Sequence, residues 1–210
     1  MKKRKNIITV AIDSPAAAGA GTQAKLISKY YNLFYLDTGK IYRYIGMLKL
    51  IQKSKFNYNF VKKKIDNLKL GYLKNKILLS NDVAISAAEI SRDRKIRKIV
   101  HKFQQKCAYR PPKKYKGSVL DGRDITSIQV KDAMFKFYIT ANLNVRAKRR
   151  FMEYKNLKSS ITYKEVLKSL RNRDKSDKER ENGPLIKTKD SILINTCLLY
   201  TSDAADELRS

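Results

Sequence analysis

A chain of 210 residues, 42% of them hydrophobic, is long enough to bury a full core and short enough to form one domain. Its two widely separated cysteines, Cys107 and Cys197, give neither a disulfide framework nor metal-site spacing; no apolar run nears the roughly 18 residues of a membrane span, and basic residues 1–5 lack a signal peptide's apolar stretch behind them, so a cytoplasmic protein is expected. A formal net charge of +28 suits nucleic acid or small anionic substrates, but the lysines are scattered over nearly every predicted element rather than gathered in one arm, and isoleucine, asparagine and tyrosine are frequent beside them, which favours a compositional origin.

Ile7-Ile8-Thr9-Val10-Ala11-Ile12-Asp13 is β-branched and apolar, as a buried parallel strand requires. A turn of small residues (Ser14, Pro15, Ala16, Ala17, Ala18, Gly19, Ala20, Gly21 and Thr22) leads into a helical run over 23–30. Strand, small-residue loop and helix start form a phosphate cradle, in which bare backbone N–H groups and the positive end of the helix dipole meet an anion. The spacing follows G-x-x-x-x-G-K, with Ser14 in place of the first glycine and Ala20 in place of the lysine. By itself this stretch also fits an ordinary strand–turn–helix.

Leu33-Phe34-Tyr35-Leu36-Asp37-Thr38-Gly39 predicts a strand and turn, and Ile41, Tyr44, Ile45, Leu48 and Ile51 give residues 40–53 a helical period. Phe60, Val61, Ile65 and Leu68 suggest a short helix. Residues 68–73 and 76–80 alternate, which predicts an antiparallel hairpin inside an insertion at about 54–86. A long helix follows from about 91 to 109, stopped by Pro111-Pro112. Residues 117–124 read as a strand with a charged turn, and residues 133–140 as another strand. Asn142 caps a helix starting near Val145, residues 163–173 are helical and run into the dense charge of 171–180, and residues 191–195 form a last strand. Strands alternating with helices predict an α/β fold with a parallel sheet covered on both faces. Residues 197–210 lack Lys, Ile and Asn and carry −2, against +30 for the 196 residues before them. They look like translated sequencing adapter, and are read as a non-native tail replacing a C-terminal helix.

Leu36-Asp37-Thr38-Gly39-x-x-Tyr42-Arg43, Asp121-Gly122-Arg123-Asp124 and Arg173-x-x-x-Asp177-x-x-Arg180 follow the 14–22 loop in order. With them the chain, over about residues 7–196, resembles bacterial cytidylate kinase, of the P-loop nucleoside monophosphate kinase family. The resemblance implies a single domain (1–196) with a parallel sheet flanked by helices, an inserted nucleotide-binding subdomain at about 54–86 and a lid at about 155–185. It also implies a monomer that moves a phosphoryl group from ATP, with Mg²⁺, onto CMP or dCMP, with no specific nucleic-acid or membrane partner.

Phosphoryl transfer between nucleotides asks for several anionic oxygens held close and in line, so the protein contributes mainly position and positive charge. Arginine suits this, being always charged and able to grip phosphate with two parallel N–H groups. The resemblance assigns Arg43, Arg123 and Arg180 to the acceptor phosphate and transferring group. It assigns Asp124 and Arg97 to the base, with Thr38 nearby. A carboxylate facing the cytosine amine and an arginine facing N3 and O2 reject uracil, whose pattern is reversed there. A family serine in this region aligns with Ala88, which predicts looser rejection. Arg173 and Asp177, four apart on one helix face, correspond to the sugar-binding pair, and Asp37 and Tyr42 shape the acceptor pocket. Residues 14–22 hold the ATP phosphates. Thr22 is the nearest hydroxyl for the metal, and Asp13 and Asp121 sit where they could hold metal-bound waters.

Ala20 removes the ammonium that normally bridges the β- and γ-phosphates, which predicts a slow or inactive enzyme unless another cation moves in. Lys25 and Lys40 are both candidates. Two rival readings follow: a CMP-binding protein without transfer, and a basic nucleic-acid-binding module. CMP binding without ATP binding marks the first, and steep salt dependence of nucleic-acid affinity the second. His101, the single histidine, is expected on a helix face without a catalytic role.

Overall fold

The computed structural model describes residues 7–156 and 160–198. Its centre is β1 (Ile8–Asp13), whose apolar residues are buried on both sides because helices cover both faces of the sheet. Four further strands join it: β2 (Phe34–Asp37), β3 (Gly117–Gly122), β4 (Phe135–Thr140) and β5 (Ile192–Asn195). The order is β2-β3-β1-β4-β5 and every pairing is parallel. The α/β class with a parallel sheet is as expected.

The helices begin where local chemistry permits. α1 (Ala20–Tyr31) starts after Gly19 at φ 85 and ends on Asn32, also left-handed, whose N–H bonds Ser28 O. Asp37 caps α2 (Thr38–Ile51) by accepting from Lys40 N at 3.2 Å. Asn57 caps α3 (Tyr58–Asp66), and α4 (Asn81–Ile90) follows. Asp93 accepts from Lys95 N and Ile96 N to start α5 (Arg94–Tyr109). α6 (Leu143–Asn156) starts beyond Asn142, whose side chain accepts from Asn144 N, and a Thr162/Glu165 capping box opens α7 (Tyr163–Glu179). Among the described residues no helix is long and apolar enough to cross a membrane.

The expected hairpin is absent. Residues Leu70–Lys74 and Lys76–Leu79 form short 3-10 turns instead. The buried residues are Leu68, Leu73 and Leu78, which do not follow a strand's period of two. These three lie in the same apolar cluster as Val61 and Ile65 of α3 and Ile45 and Leu48 of α2. An isolated two-stranded ribbon is marginal in water, whereas these turns deliver one leucine each to an existing core. α4 was not foreseen as a separate helix, because residues 81–86 were read into the insertion and 87–90 were left unassigned before the predicted 91–109 helix. Asp93 divides the two. α4 packs so closely on α2 that a Cβ on Gly46 would stand 2.9 Å from Ala87 N. The reading of residues 197–210 as a foreign tail lies, beyond Leu198, outside the described residues.

In this strand order the chain leaves β1 toward one side of the sheet and returns through β3 to reach β4 on the other. Such a reversal opens a crevice at the carboxyl ends of β1 and β3, beside the N-termini of the helices that follow. Asp13↔Gly122 and Asp37↔Asp121 are in register there, so the ends of β1, β2 and β3 come level.

Candidate active site

A cavity of about 660 Å³ occupies that crevice. Every residue from Ser14 to Thr22 lines it, as do Asp37, Thr38, Tyr42, Arg43, Arg97, Arg123, Asp124, Arg173 and Arg180. Segments far apart in the chain thus meet at one place. Asp177 is not on the wall but stands behind it, 4% exposed.

The loop keeps the shape of a phosphate cradle although glycines are missing. Ala17 adopts φ 60, the left-handed conformation a glycine takes freely, at a cost of about 1 kcal/mol. Its carbonyls are held from behind: Arg146 Nη1 donates to Ala16 O at 3.1 Å and Thr196 Oγ1 to Ala18 O at 2.7 Å. Arg149 in turn donates to Thr196 Oγ1 and O at 3.0 and 2.6 Å. Arg146, Arg149 and Thr196 were missed in the sequence. In a chain with 47 Lys and Arg nothing local singles them out, and only the bonds they make in the folded chain reveal them.

Two carboxylates at the strand ends, Asp13 and Asp121, differ in their use. Both oxygens of Asp13 are occupied, by Ile125 N at 2.7 Å and by Thr126 N and Oγ1 at 2.9 and 2.6 Å. Burial pushes its pKa up to about 6 in spite of these bonds. Asp13 therefore anchors the π-helical turn Ile125–Gln129, and the expectation that it holds a metal-bound water is corrected. Asp121 is different. Its Oδ1 is buried with no hydrogen-bond partner among the described residues, and its Oδ2 lies 3.5 Å from where a Cβ on Gly21 would be. Burial, then the nearby Asp37 charge, raise its pKa well above the ordinary carboxylate range.

Among the described residues no group of three or more His, Cys, Asp and Glu could hold a metal. Mg²⁺ does not need one, because it is bound through one or two carboxylates, waters and substrate phosphates. Asp121, with its orphaned oxygen, and Thr22 fit that demand. A folded-state carboxylate with raised pKa destabilises the fold increasingly as pH climbs from the unfolded value through the folded one. Asp121→Asn, which still accepts from the Tyr35 hydroxyl, removes this penalty. Its melting temperature is expected to exceed wild type by a few degrees at about pH 7 and to match it near pH 4, as calorimetric scans at the two pH values would show.

The arginines form a connected cluster. Arg123 Nε meets Asp177 Oδ2 at 2.9 Å, Arg173 Nε meets the same oxygen at 3.5 Å, and Arg180 Nη1 lies 3.6 Å from Oδ1. Burial alone would raise the Asp177 pKa, but the Arg123, Arg173 and Arg180 charges hold it below the usual carboxylate range. Asp177 thus aligns three guanidinium groups from behind. Arg43 Nη1 donates to Leu78 O at 2.6 Å, so the 3-10 turn that replaced the hairpin positions it. Two polar atoms at this end are buried without a hydrogen bond among the described residues, Arg180 Nη2 and the Tyr42 hydroxyl. An unmet buried donor costs about 1–3 kcal/mol, and an anion in the cavity would answer both.

Arg97 Nη2 and Asp124 Oδ2 are 2.5 Å apart, and Gln129 Nε2 donates to the same oxygen at 2.7 Å. His101 Nδ1 bonds Gln129 Oε1, so the single histidine stands one residue behind this pair. Ala88 does not line the cavity, whereas Ala87 and Ser91 do. Gly183, at φ 68, passes directly over the pair, and a Cβ there would stand 2.3 Å from Arg97 Nη2 and 2.7 Å from Asp124 Oδ2. Gly183→Ala is expected to cost about 2 kcal/mol in stability, read from thermal unfolding.

A parallel sheet, a small-residue loop entering a helix and arginines converging on one cavity define a phosphotransferase of the P-loop class. The cytidylate kinase family profile matches residues 10–209. The chain is 33% identical to a cytidylate kinase of Clostridium botulinum over 96% of its length and 95% of that protein's. It is 35% identical to one of Bartonella bacilliformis, over 95% and 91%, and 32% identical to one of Thermosipho melanesiensis, over 95% and 94%. The chain belongs to the cytidylate kinase family. Neither the nucleotide-binding protein without transfer nor the nucleic-acid module draws support from these matches.

Proposed function

We propose that the enzyme passes the γ-phosphoryl group of ATP to CMP or dCMP, with the cavity residues in the following roles. The 14–22 loop and the N-terminus of α1 hold the donor phosphates through backbone N–H groups. Arg43, Arg123 and Arg180 surround the acceptor phosphate and the group in flight, where their fixed charge opposes the charge that builds up. Asp124 and Arg97 read the amino group and the N3/O2 edge of cytosine, with Thr38 beside them. Arg173 meets the sugar hydroxyls, and Asp177 orients it rather than reaching the sugar itself. Asp37 and Tyr42 shape the acceptor pocket.

Mg²⁺ supplies charge neutralisation of the ATP phosphates when bound, and Thr22 and Asp121 are the residues to hold it. Residues 54–86 act as the acceptor-side subdomain and residues 155–185 as the lid within a domain spanning 1–196. The enzyme works as a cytoplasmic monomer.

The observation that carries this reading is the meeting of Arg43, Arg123, Arg180 and the Arg97–Asp124 pair around one cavity beside the 14–22 loop. The test is coupled ADP release by the full chain with ATP and Mg²⁺, offered CMP, dCMP, UMP and AMP in turn. Turnover with CMP and dCMP well above that with UMP and AMP is expected. Equal rates with all four, or ADP release only without an acceptor, would overturn it.

A further inference from the structure

The position at which G-x-x-x-x-G-K sequences carry a lysine is here a buried alanine, Ala20, 4% exposed. Six arginines line the cavity (Arg43, Arg97, Arg123, Arg150, Arg173 and Arg180), and each is engaged with a carboxylate or a carbonyl oxygen. Among the described residues the cavity cations whose charge has no partner are Lys25 and Lys40. Lys25 is exposed on the second turn of α1, where a solvated lysine is ordinary. Lys40 is not ordinary. It is half-buried in the first turn of α2, where the helix dipole disfavours a cation, and no acidic residue shares that turn.

Contacts place it beside the cradle. Its backbone N–H bonds Asp37 Oδ1, Asp37 is level with Asp121 across β2 and β3, and Asp121 Oδ2 faces Gly21 in the first turn of α1. The N-termini of α1 and α2 therefore open into the same space, whose wall Lys40 shares with residues 14–22. Lys40 does not fold back on the Asp37 carboxylate three residues earlier, although that carboxylate caps its own backbone. A cation set against a helix dipole, and left unpaired at a cavity wall, is stabilised once an anion fills the cavity.

We infer that Lys40 supplies from α2 the positive charge that Ala20 lacks in α1, touching the β- and γ-phosphates of ATP. This rests on the kinase reading above. In the transfer, an acceptor phosphate oxygen forms a bond to the γ-phosphorus as the bond from that phosphorus to the β-bridging oxygen breaks. ADP leaves with the electron pair, and Lys40 stays protonated and offsets the charge on the bridging oxygen.

The experiment compares wild type, Lys40→Met, Ala20→Lys and the double variant, with Lys25→Met alongside, in turnover with ATP and CMP and in calorimetric binding of CMP. Removing such a cation is expected to lower kcat about 10²-fold in Lys40→Met, with CMP affinity and melting temperature near wild type. In the Ala20→Lys background the same change is expected to cost less than about threefold, because one cation then makes the other redundant. Equal losses in both backgrounds, or a loss in Lys25→Met in place of Lys40→Met, would overturn the inference. An inert wild type beside an active Ala20→Lys variant would overturn it while leaving the kinase reading intact. Failure of both proteins to bind CMP would remove that reading and this inference together.

Discussion

Arg180→Met is expected to lower kcat with CMP by about 10³-fold while moving the melting temperature little. The two effects separate because of how Arg180 is held. Its guanidinium is buried, burial depresses its pKa first and foremost, and its Nη2 has no hydrogen bond among the described residues. Asp124 Oδ1 lies 3.9 Å from Nη2. Losing a buried charge costs a fold most when a partner is left unpaired, and here Asp124 keeps Arg97. Arg123 and Arg173 remain to satisfy Asp177. In the proposed reading the lost quantity is charge at the phosphate in the transition state. Single-turnover rates measured beside thermal melts check the separation: a fall in melting temperature as large as that of a core truncation would mark Arg180 as structural.

The second large effect is expected at Asp124. Its Oδ2 is taken by Arg97 and Gln129, which in the proposed reading leaves Oδ1 for the cytosine amine. Asp124→Asn keeps the volume and can keep an oxygen toward the two donors, turning its NH₂ to the cavity. A donor then stands where the cytosine amine needs an acceptor, and uracil presents its carbonyl there. CMP kcat/KM is expected to fall about 10³-fold, with UMP unchanged or improved, so that the preference collapses. The comparison of kcat/KM for both nucleotides reads this directly. Parallel losses with CMP and UMP would mean that Asp124 supports the cavity wall without reading the base.

Much of the architecture was legible from local pattern. β1, β2, β3, β4 and β5 were each expected within two residues of one observed end, because short apolar runs bounded by turns have few other fates in a chain of alternating helices. Residues 68–80 misled because alternation over five residues arises by chance, and here the core of α2 and α3 chose which leucines to bury. The motif residues were named through the resemblance to cytidylate kinases, but their division of labour was not visible in the sequence. Asp13 and Asp121 look alike at the ends of neighbouring strands, yet one is saturated by the Ile125–Gln129 turn and the other keeps an open oxygen. Asp177, expected at the sugar, lies behind three arginines instead.

The amino-acid order by itself determined the parallel α/β plan, the small-residue loop with its missing lysine, and the family to which the motifs point. These are properties of nearest neighbours and short periods, which the backbone expresses wherever it lies. Which cations remain unpaired, which carboxylates are spent on the fold and which residues brace the loop from behind were decided by the tertiary structure. Such properties depend on groups more than a hundred residues apart, as when Arg146 reaches Ala16 or Thr126 reaches Asp13. Burial, which sets the cost of leaving each charge unmet, exists only after the chain has closed on itself.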